Sequence, residues 1–393
     1  MELELTEDQE FFADTTRKFL EDKATPTDLR QLRGDPIGYA PQYWRAGAEL
    51  GWTSLLVSEE DGGGSISGRG LADLALVAHQ FGRHAAPGPL LATNVVAAAV
   101  SRRGTPEQRA EVIPGLLAGE TVATWCWAEP PPRDRLGEVG LSATPDGQNY
   151  VLNGRKGPVE AGAHAQHLLV VARAPEGLVQ LLLPASSPGI TVIPAQGLDL
   201  TRRFAEIRFD DVVVPRSALL GDPSATEADI ERQLQLANVI QLAEMVGAME
   251  KAFEITVEWA FNRYSFGRPL ASYQELKHRF ADMKAWLEAG HAAADAATRA
   301  VQDETDWAGE YTSAGKAYMG VYGIELVQDC VQMHGGIGVT FDHDMHLYLR
   351  RVVVDSLLFG TVSDHRQRLA TMLERREAVE TNESHEDKEA TNA

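Results

Sequence analysis

The sequence predicts an α+β chain with an N-terminal helical domain, a central antiparallel β-barrel or sandwich, and a C-terminal four-helix bundle. Three observations predict it. Helix-type apolar periodicity marks the first part of the chain. From about Gly119 to Pro223, short β-type runs alternate with turn signals. From Ala228 onward helical patterns return, long and joined by short connections, as in a bundle. A length of 393 residues suits two or three domains. The boundaries read as 1–120, 121–226 and 227–376, with 377–393 an acidic, disordered tail.

Each element has a local cause. Thr6 followed by Gln9 has capping-box spacing, and Phe11, Phe12, Thr15, Phe19 and Leu20 supply an apolar helical face. Two more periodic stretches, 43–56 and 70–81, flank a loop of composition Glu59-Glu60-Asp61-Gly62-Gly63-Gly64. Thr105-Pro106-Glu107-Gln108 combines an N-cap, a first-turn proline and a capping Gln, which starts a helix ending near Gly115. Strand-like runs follow at 150–152, 168–171, 179–183, 190–193, 207–209 and 212–214. Helical patterns then cover 230–262, 272–302, 307–333 and 347–376.

Composition excludes several functions. Lys+Arg number 36 against 57 Asp+Glu, a formal charge of −21, which argues against nucleic-acid binding. Part of the excess is local, since 377–393 holds six acids and one lysine. Cys126 and Cys330 are too far apart for a disulfide framework or a zinc motif. No apolar run approaches the roughly 20 residues of a membrane helix. Met1-Glu2-Leu3-Glu4 opens no secretion signal, so a soluble, cytoplasmic protein is expected.

P-loop, HExxH and Gly-x-Ser-x-Gly signatures are absent. His343 and His346 lie beside Asp342 and Asp344, but nothing completes a metal site, and none is expected. Gly335-Gly336-Ile337-Gly338 follows a helical pattern rather than a strand, a poor dinucleotide fingerprint. Two stretches stand out. Asn262-Arg263-Tyr264-Ser265-Phe266-Gly267-Arg268-Pro269-Leu270, leading to Gln274, sets two arginines beside a flexible backbone. That suits a pyrophosphate, or else it complements a helix C-terminus. Gln332-Met333-His334-Gly335-Gly336-Ile337-Gly338 lets backbone approach a ligand closely, or else caps a helix.

In order and spacing, both stretches resemble the C-terminal signatures of the acyl-CoA dehydrogenase family, as do the trailing Asp342, Arg350 and Arg351. Leu50-Gly51-Trp52, Pro87-Gly88-Pro89-Leu90-Leu91, Ala128-Glu129-Pro130 and Asn153-Gly154-Arg155-Lys156 extend the likeness over about residues 4 to 375. The resemblance implies FAD held between the β domain and the C-terminal bundle, with an adjacent subunit holding its ADP half. Arg263, Phe266 and Gln274 would then contact FAD across an interface, and Gln332, Gly335 and Gly336 its adenine–pyrophosphate region. Thr361 would sit near the flavin, and Phe359 and Gly360 near the thioester. The implied reaction converts an acyl-CoA to its trans-2-enoyl-CoA. A carboxylate removes the α-proton, a hydride passes to flavin, and an electron-transfer flavoprotein accepts the electrons.

The departures are as informative. The family's Tyr-Glu-Gly-Thr element reads Leu358-Phe359-Gly360-Thr361, so Phe359 stands at the base position. The alternative base position, on the first long C-terminal helix, is Ala237. Glu244 lies seven residues on, about 700° of turn and about 10 Å further along the axis. Its neighbourhood is apolar, and it is the best candidate base; otherwise it is a structural carboxylate beside Lys251 or Gln241. Ala128 replaces the threonine of Thr-Glu-Pro, Pro158-Val159-Glu160 replaces Trp-Ile-Thr, and Pro131-Pro132-Arg133-Asp134 replaces a Gly-Ser-Asp run. Three readings follow. The first is an FAD-dependent dehydrogenase using Glu244. The second is a catalytically silent subunit, resembling those of α2β2 heterotetramers that handle bulky or steroid side-chain acyl-CoA esters. The third is a flavin oxidase or monooxygenase on the same fold.

Overall fold

The computed structural model describes residues 5–130 and 139–391. Met1 to Glu4 and the Pro131 to Asp134 replacement lie outside them. Six helices come first: α1 (Glu7–Lys23), α2 (Pro26–Gln31), α3 (Pro41–Glu49), α4 (Gly70–His84), α5 (Leu90–Arg103) and α6 (Pro106–Leu117). The Thr6/Gln9 and Thr105/Gln108 capping boxes both form. α5 gives no sequence periodicity because its first eight residues, Thr93 and Asn94 among them, are all buried, so no exposed polar stripe sets a period there.

Seven strands make one curled sheet: β1 (Ala123–Cys126), β2 (Ser142–Asp146), β3 (Asn149–Glu160), β4 (His167–Ala174), β5 (Gly177–Pro184), β6 (Ile190–Ala195) and β7 (Phe204–Pro215). The order is β1-β4-β2-β3-β7-β6, with β5 also on β4. β1 and β2 pair with β4 in parallel, a correction to the purely antiparallel sheet expected from the turn signals. Tyr150, Leu152, Leu168, Val170, Leu181, Ile207 and Phe209 fill the sheet's own core.

The C-terminal part holds α7 (Thr226–Asn262), a hairpin of β8 (Tyr264–Ser265) and β9 (Arg268–Pro269), α8 (Gln274–Gln302), α9 (Ala308–His334), α10 (Met345–Leu357) and α11 (Val362–Thr391). The single last helix expected over 347–376 is broken in two. Phe359 (φ +55°) and Gly360 (φ +115°) adopt left-handed backbone, and Thr361 caps α11 by bonding Asp364. The backbone stays helical to Thr391, through the segment whose composition reads as disorder.

The apolar core is continuous from the N-terminal helices into the bundle. Its tightest seam is α4 on α7. A Cβ on Gly82 would lie 1.9 Å from the Glu244 carbonyl oxygen, and one on Gly247 would lie 2.1 Å from that of His79. Gly247→Ala is therefore expected to destabilise the chain by about 1–3 kcal/mol, measured by denaturant unfolding.

Candidate functional site

The break after α10 sets Phe359 into a cleft between the sheet and the bundle. Trp125, Ala128, Pro158, Glu160, Leu91 and Phe359 line it. Three of these, Ala128, Pro158 and Glu160, are positions where the sequence departs from the residues expected to face a flavin, and the fold brings them together with Phe359 around one space. That space is filled by rings. Trp125 stacks on Trp127 with centroids 5.7 Å apart and on Phe359 at 5.6 Å, the planes within 17°. The volume open to the centre of a water molecule is about 10 Å³.

Buried charge holds the stack. Lys156 Nζ donates to the Trp127 carbonyl at 3.1 Å and to Glu129 Oε1 at 2.9 Å. The Glu129 carboxylate also accepts the Gly140 and Leu141 N–H groups at 2.9 Å, and the Lys156 charge together with these bonds holds its pKa down despite burial. On the bundle side, Lys316 Nζ donates to Leu358 O at 3.0 Å, to Gln241 Oε1 at 2.8 Å and to the Asp355 carbonyl. It satisfies the last carbonyls of α10 and so fixes the turn that carries Phe359. Glu160 is the one carboxylate lining the cleft among the described residues, and Arg202 grips it through two bonds of 2.7 and 2.8 Å.

Glu244 lies in the adjoining charge cluster. It is 3% exposed. Its Oε2 accepts from Arg351 Nη1 at 3.2 Å and lies 3.6 Å from Arg202 Nη1. Lys251, its partner in the alternative reading, is instead 3.8 Å from Glu254. Arg351 also bonds Asp199 Oδ2 and Thr201 Oγ1, each at 2.6 Å, and the Ala86 carbonyl at 2.9 Å. Arg202 reaches Asp355 as well. The cluster therefore pins the β domain (Glu160, Asp199, Arg202) to α7 and α10 (Glu244, Arg351, Asp355).

Four carboxylates share this interior with Arg202, Arg351 and Lys316, and for two of them burial outweighs the cations. Burial raises the pKa of Glu244 and pushes Asp355 up to about 7. The folded chain thus keeps a proton that the unfolded chain, with an Asp near 3.8, has released. That stabilisation is complete below about pH 4 and is lost as pH rises to about 7. Asp355→Asn should gain thermal stability on the parent across that window and no more above it. Unfolding temperatures of both proteins from about pH 4.5 to 8.5 measure this; a pH-independent difference would contradict it.

The remaining expected site residues are on the surface. Arg263, Phe266 and Gln274 are exposed at the α7–α8 junction, and Phe266 is 97% exposed. Phe266 (φ +50°) and Gly267 (φ +80°) make the two-residue turn of the β8–β9 hairpin, both in left-handed backbone. Such a conformation is unfavourable for an aromatic residue, and it holds this ring out to solvent. The hairpin is braced by Tyr273, whose Oη donates to Ser265 O at 2.7 Å and whose ring lies 3.9 Å under the Arg268 guanidinium. Gln332, Gly335 and Gly336 are exposed, and space is open over both glycines. Thr361 is half-buried and occupied as a helix cap. His343 and His346 join separate ring stacks, with His334 at 4.3 Å and Phe341 at 4.4 Å. Among the described residues no three His, Cys, Asp or Glu side chains stand together as a metal site.

Trp125, Trp127, Arg202 and Lys316 are absent from the sequence-based candidates. The two tryptophans beside Ala128 were the available signal; the two cations have none, because their partners are remote in sequence.

The N-terminal domain model of the acyl-CoA dehydrogenases matches residues 6–120 and the C-terminal domain model residues 228–373, together most of the chain. Acyl-CoA dehydrogenase IpdE2 of Mycolicibacterium smegmatis is 28% identical over 93% of this chain and 98% of its own. A variant of the Tcur3481–Tcur3483 steroid ACAD superposes with a TM-score of 0.86 at 29% identity, covering 95% of this chain and 99% of that one. A glutaryl-CoA dehydrogenase from Mycobacterium smegmatis in complex with FADH2 shares the fold, with a TM-score of 0.83 at 21% identity over 94% of this chain and 95% of that one. With its α–β–α architecture, the chain belongs to the acyl-CoA dehydrogenase family, enzymes that are flavoprotein oxidoreductases.

Proposed function

We propose that this chain is one subunit of a heteromeric, FAD-dependent acyl-CoA dehydrogenase, and that an unlike chain contributes the flavin-ring pocket and the base. One observation carries the reading: the Trp127–Trp125–Phe359 stack fills the cleft where the family's flavin ring would lie. A tricyclic ring does not fit there unless the stack moves. The outward arm does suit a flavin's ADP half, since Arg263 offers a forked cation and Gly335 and Gly336 an open backbone approach. This chain would thus complete a neighbour's flavin site with its arm. In this reading Glu244 is a structural carboxylate, held by two arginines that partly offset the upward shift burial gives its pKa. The likeness to a steroid ACAD supports a bulky, ring-derived acyl-CoA as substrate, with an electron-transfer flavoprotein as acceptor.

The test is flavin stoichiometry. Purified alone, the chain is expected to be colourless. Co-expressed with an unlike homologue, it is expected to yield a complex holding one FAD per pair that bleaches with acyl-CoA. A lone chain with one FAD per protomer, bleached by acyl-CoA and silenced by Glu244→Gln, would establish the self-sufficient enzyme instead.

A further inference from the structure

A second cavity, of about 480 Å³, opens where the C-terminal ends of α5 and α8 meet the first turns of α7. It is not an extension of the flavin cleft. Along α5 the cleft is lined by Leu91 and Ala92 and the cavity by Ala98 and Ala99, about 10 Å further on, and the intervening Val95 and Val96 are fully buried. One wall is apolar, built from Leu55, Leu71, Ala98, Ala99 and Leu236. Next to it, one turn along α5 and one turn back along α7, stand Arg102, Arg103 and Arg232.

These three guanidiniums have two carboxylates between them. Arg103 is matched by Asp229, whose oxygens lie 2.7 and 2.9 Å from its Nε. Arg102 takes both oxygens of Glu304, at 2.7 and 3.1 Å. Arg232 is left with the Val301 carbonyl and, 3.6 Å away, the same Glu304 Oε1 that Arg102 already holds. Glu59, also on the lining, is exposed. Burial lowers the Arg232 pKa, as expected for a cation short of counter-charge. Beside it, Gln233 is 3% exposed, and its Oε1 has no hydrogen-bond partner. A buried polar atom left unpaired is costly, and a water held between it and a bound anion would satisfy it.

We propose that this cavity binds an amphipathic carboxylate, its apolar body against the Ala98–Leu236 wall and its anionic end on Arg232 and Arg102. The site does not depend on where the flavin is held. Its chemistry is met by a free fatty or ring carboxylic acid, or by the far carboxyl of a dicarboxylic acyl-CoA.

Titration calorimetry on the full chain with dodecanoate is expected to show one saturable site, at least tenfold tighter than for dodecanol, which lacks the charge. Arg232→Gln and the more exposed Arg102→Gln should each reduce that preference several-fold, with unchanged circular dichroism. Displacement by the CoA monothioester of dodecanedioate would assign the anion to a substrate's far end; displacement by carboxylic acids only would assign it to a free acid. Both outcomes keep the site. Absence of saturable binding, equal affinity for dodecanoate and dodecanol, or indifference to both arginine variants would overturn it.

Discussion

Arg351→Met is expected to cost the chain about 3–5 kcal/mol of stability, because it strands buried carboxylates rather than merely removing contacts. Arg351 is 1% exposed and is the direct ionic partner of Asp199 at 2.6 Å. It is also the nearer of the two arginines on Glu244. Methionine keeps much of the volume and none of the charge, so cavity formation contributes little. The neighbouring Arg350→Met is the control. Arg350 is partly exposed and bonds one carbonyl, Leu198 O at 2.9 Å, so its loss is expected to cost under about 1 kcal/mol. Urea unfolding of both variants measures the contrast.

The partner substitution separates structure from catalysis. If Glu244 is a buried counter-ion, Glu244→Gln in the Arg351→Met background should recover part of the lost stability, a coupling of about 1–3 kcal/mol in a double-mutant cycle. If Glu244 were also the base, its replacement would abolish turnover in addition to that coupling, which a purely structural carboxylate would not. An Arg351→Met penalty below about 1 kcal/mol would show that the cluster does not lock the β domain onto the bundle.

Legibility in the sequence followed range. The caps of α1 and α6 lie within four residues of the elements they start, and both form as their spacing implies. The break between α7 and α8 was legible because Arg263, Gly267, Arg268 and Pro269 stand in one short run, although the β8–β9 hairpin within it was not. α5 was not legible, since a helix whose first eight residues are all buried has no exposed polar stripe there to set a period. The break in the last helix had a local signal, Gly360 followed by the Thr361-x-x-Asp364 cap, but the bond from Lys316, on another helix, that fixes the turn has none. Glu244 shows the division most clearly. Its apolar neighbours foretold burial and a raised pKa, whereas Arg202 and Arg351, which decide what the carboxylate can do, come from two other parts of the chain. Likewise Ala128 and Pro158 marked an altered flavin surface, but only the packing of Trp125 against Phe359 shows that rings occupy the space.

The second large effect concerns the arm, and it should appear in another chain's flavin. In a co-purified complex with an unlike homologue, Arg263→Ala in this chain is expected to weaken retention of FAD about 10–100-fold. That factor corresponds to losing one or two charge-assisted hydrogen bonds to a phosphate, at about 1.5–3 kcal/mol in total. Arg263→Lys should restore only part of it, because an ammonium cannot make the forked contact. The same Arg263→Ala chain, purified alone, should unfold like the parent: Arg263 is exposed, and its one ring contact is a guanidinium 5.8 Å from the Trp259 centroid. The combination is diagnostic. A residue that stabilised its own helix end would lower the stability of the lone chain and leave a partner's flavin untouched, whereas a residue acting in trans does the reverse. Phe266→Ala offers an independent reading of the same arm, since it removes a ring already exposed in the lone chain and should lower flavin retention through lost packing rather than lost charge. Flavin fluorescence released on dilution of each complex, set against the unfolding temperature of each lone chain, tests both substitutions; full flavin retention by the Arg263→Ala complex would exclude the trans-acting role.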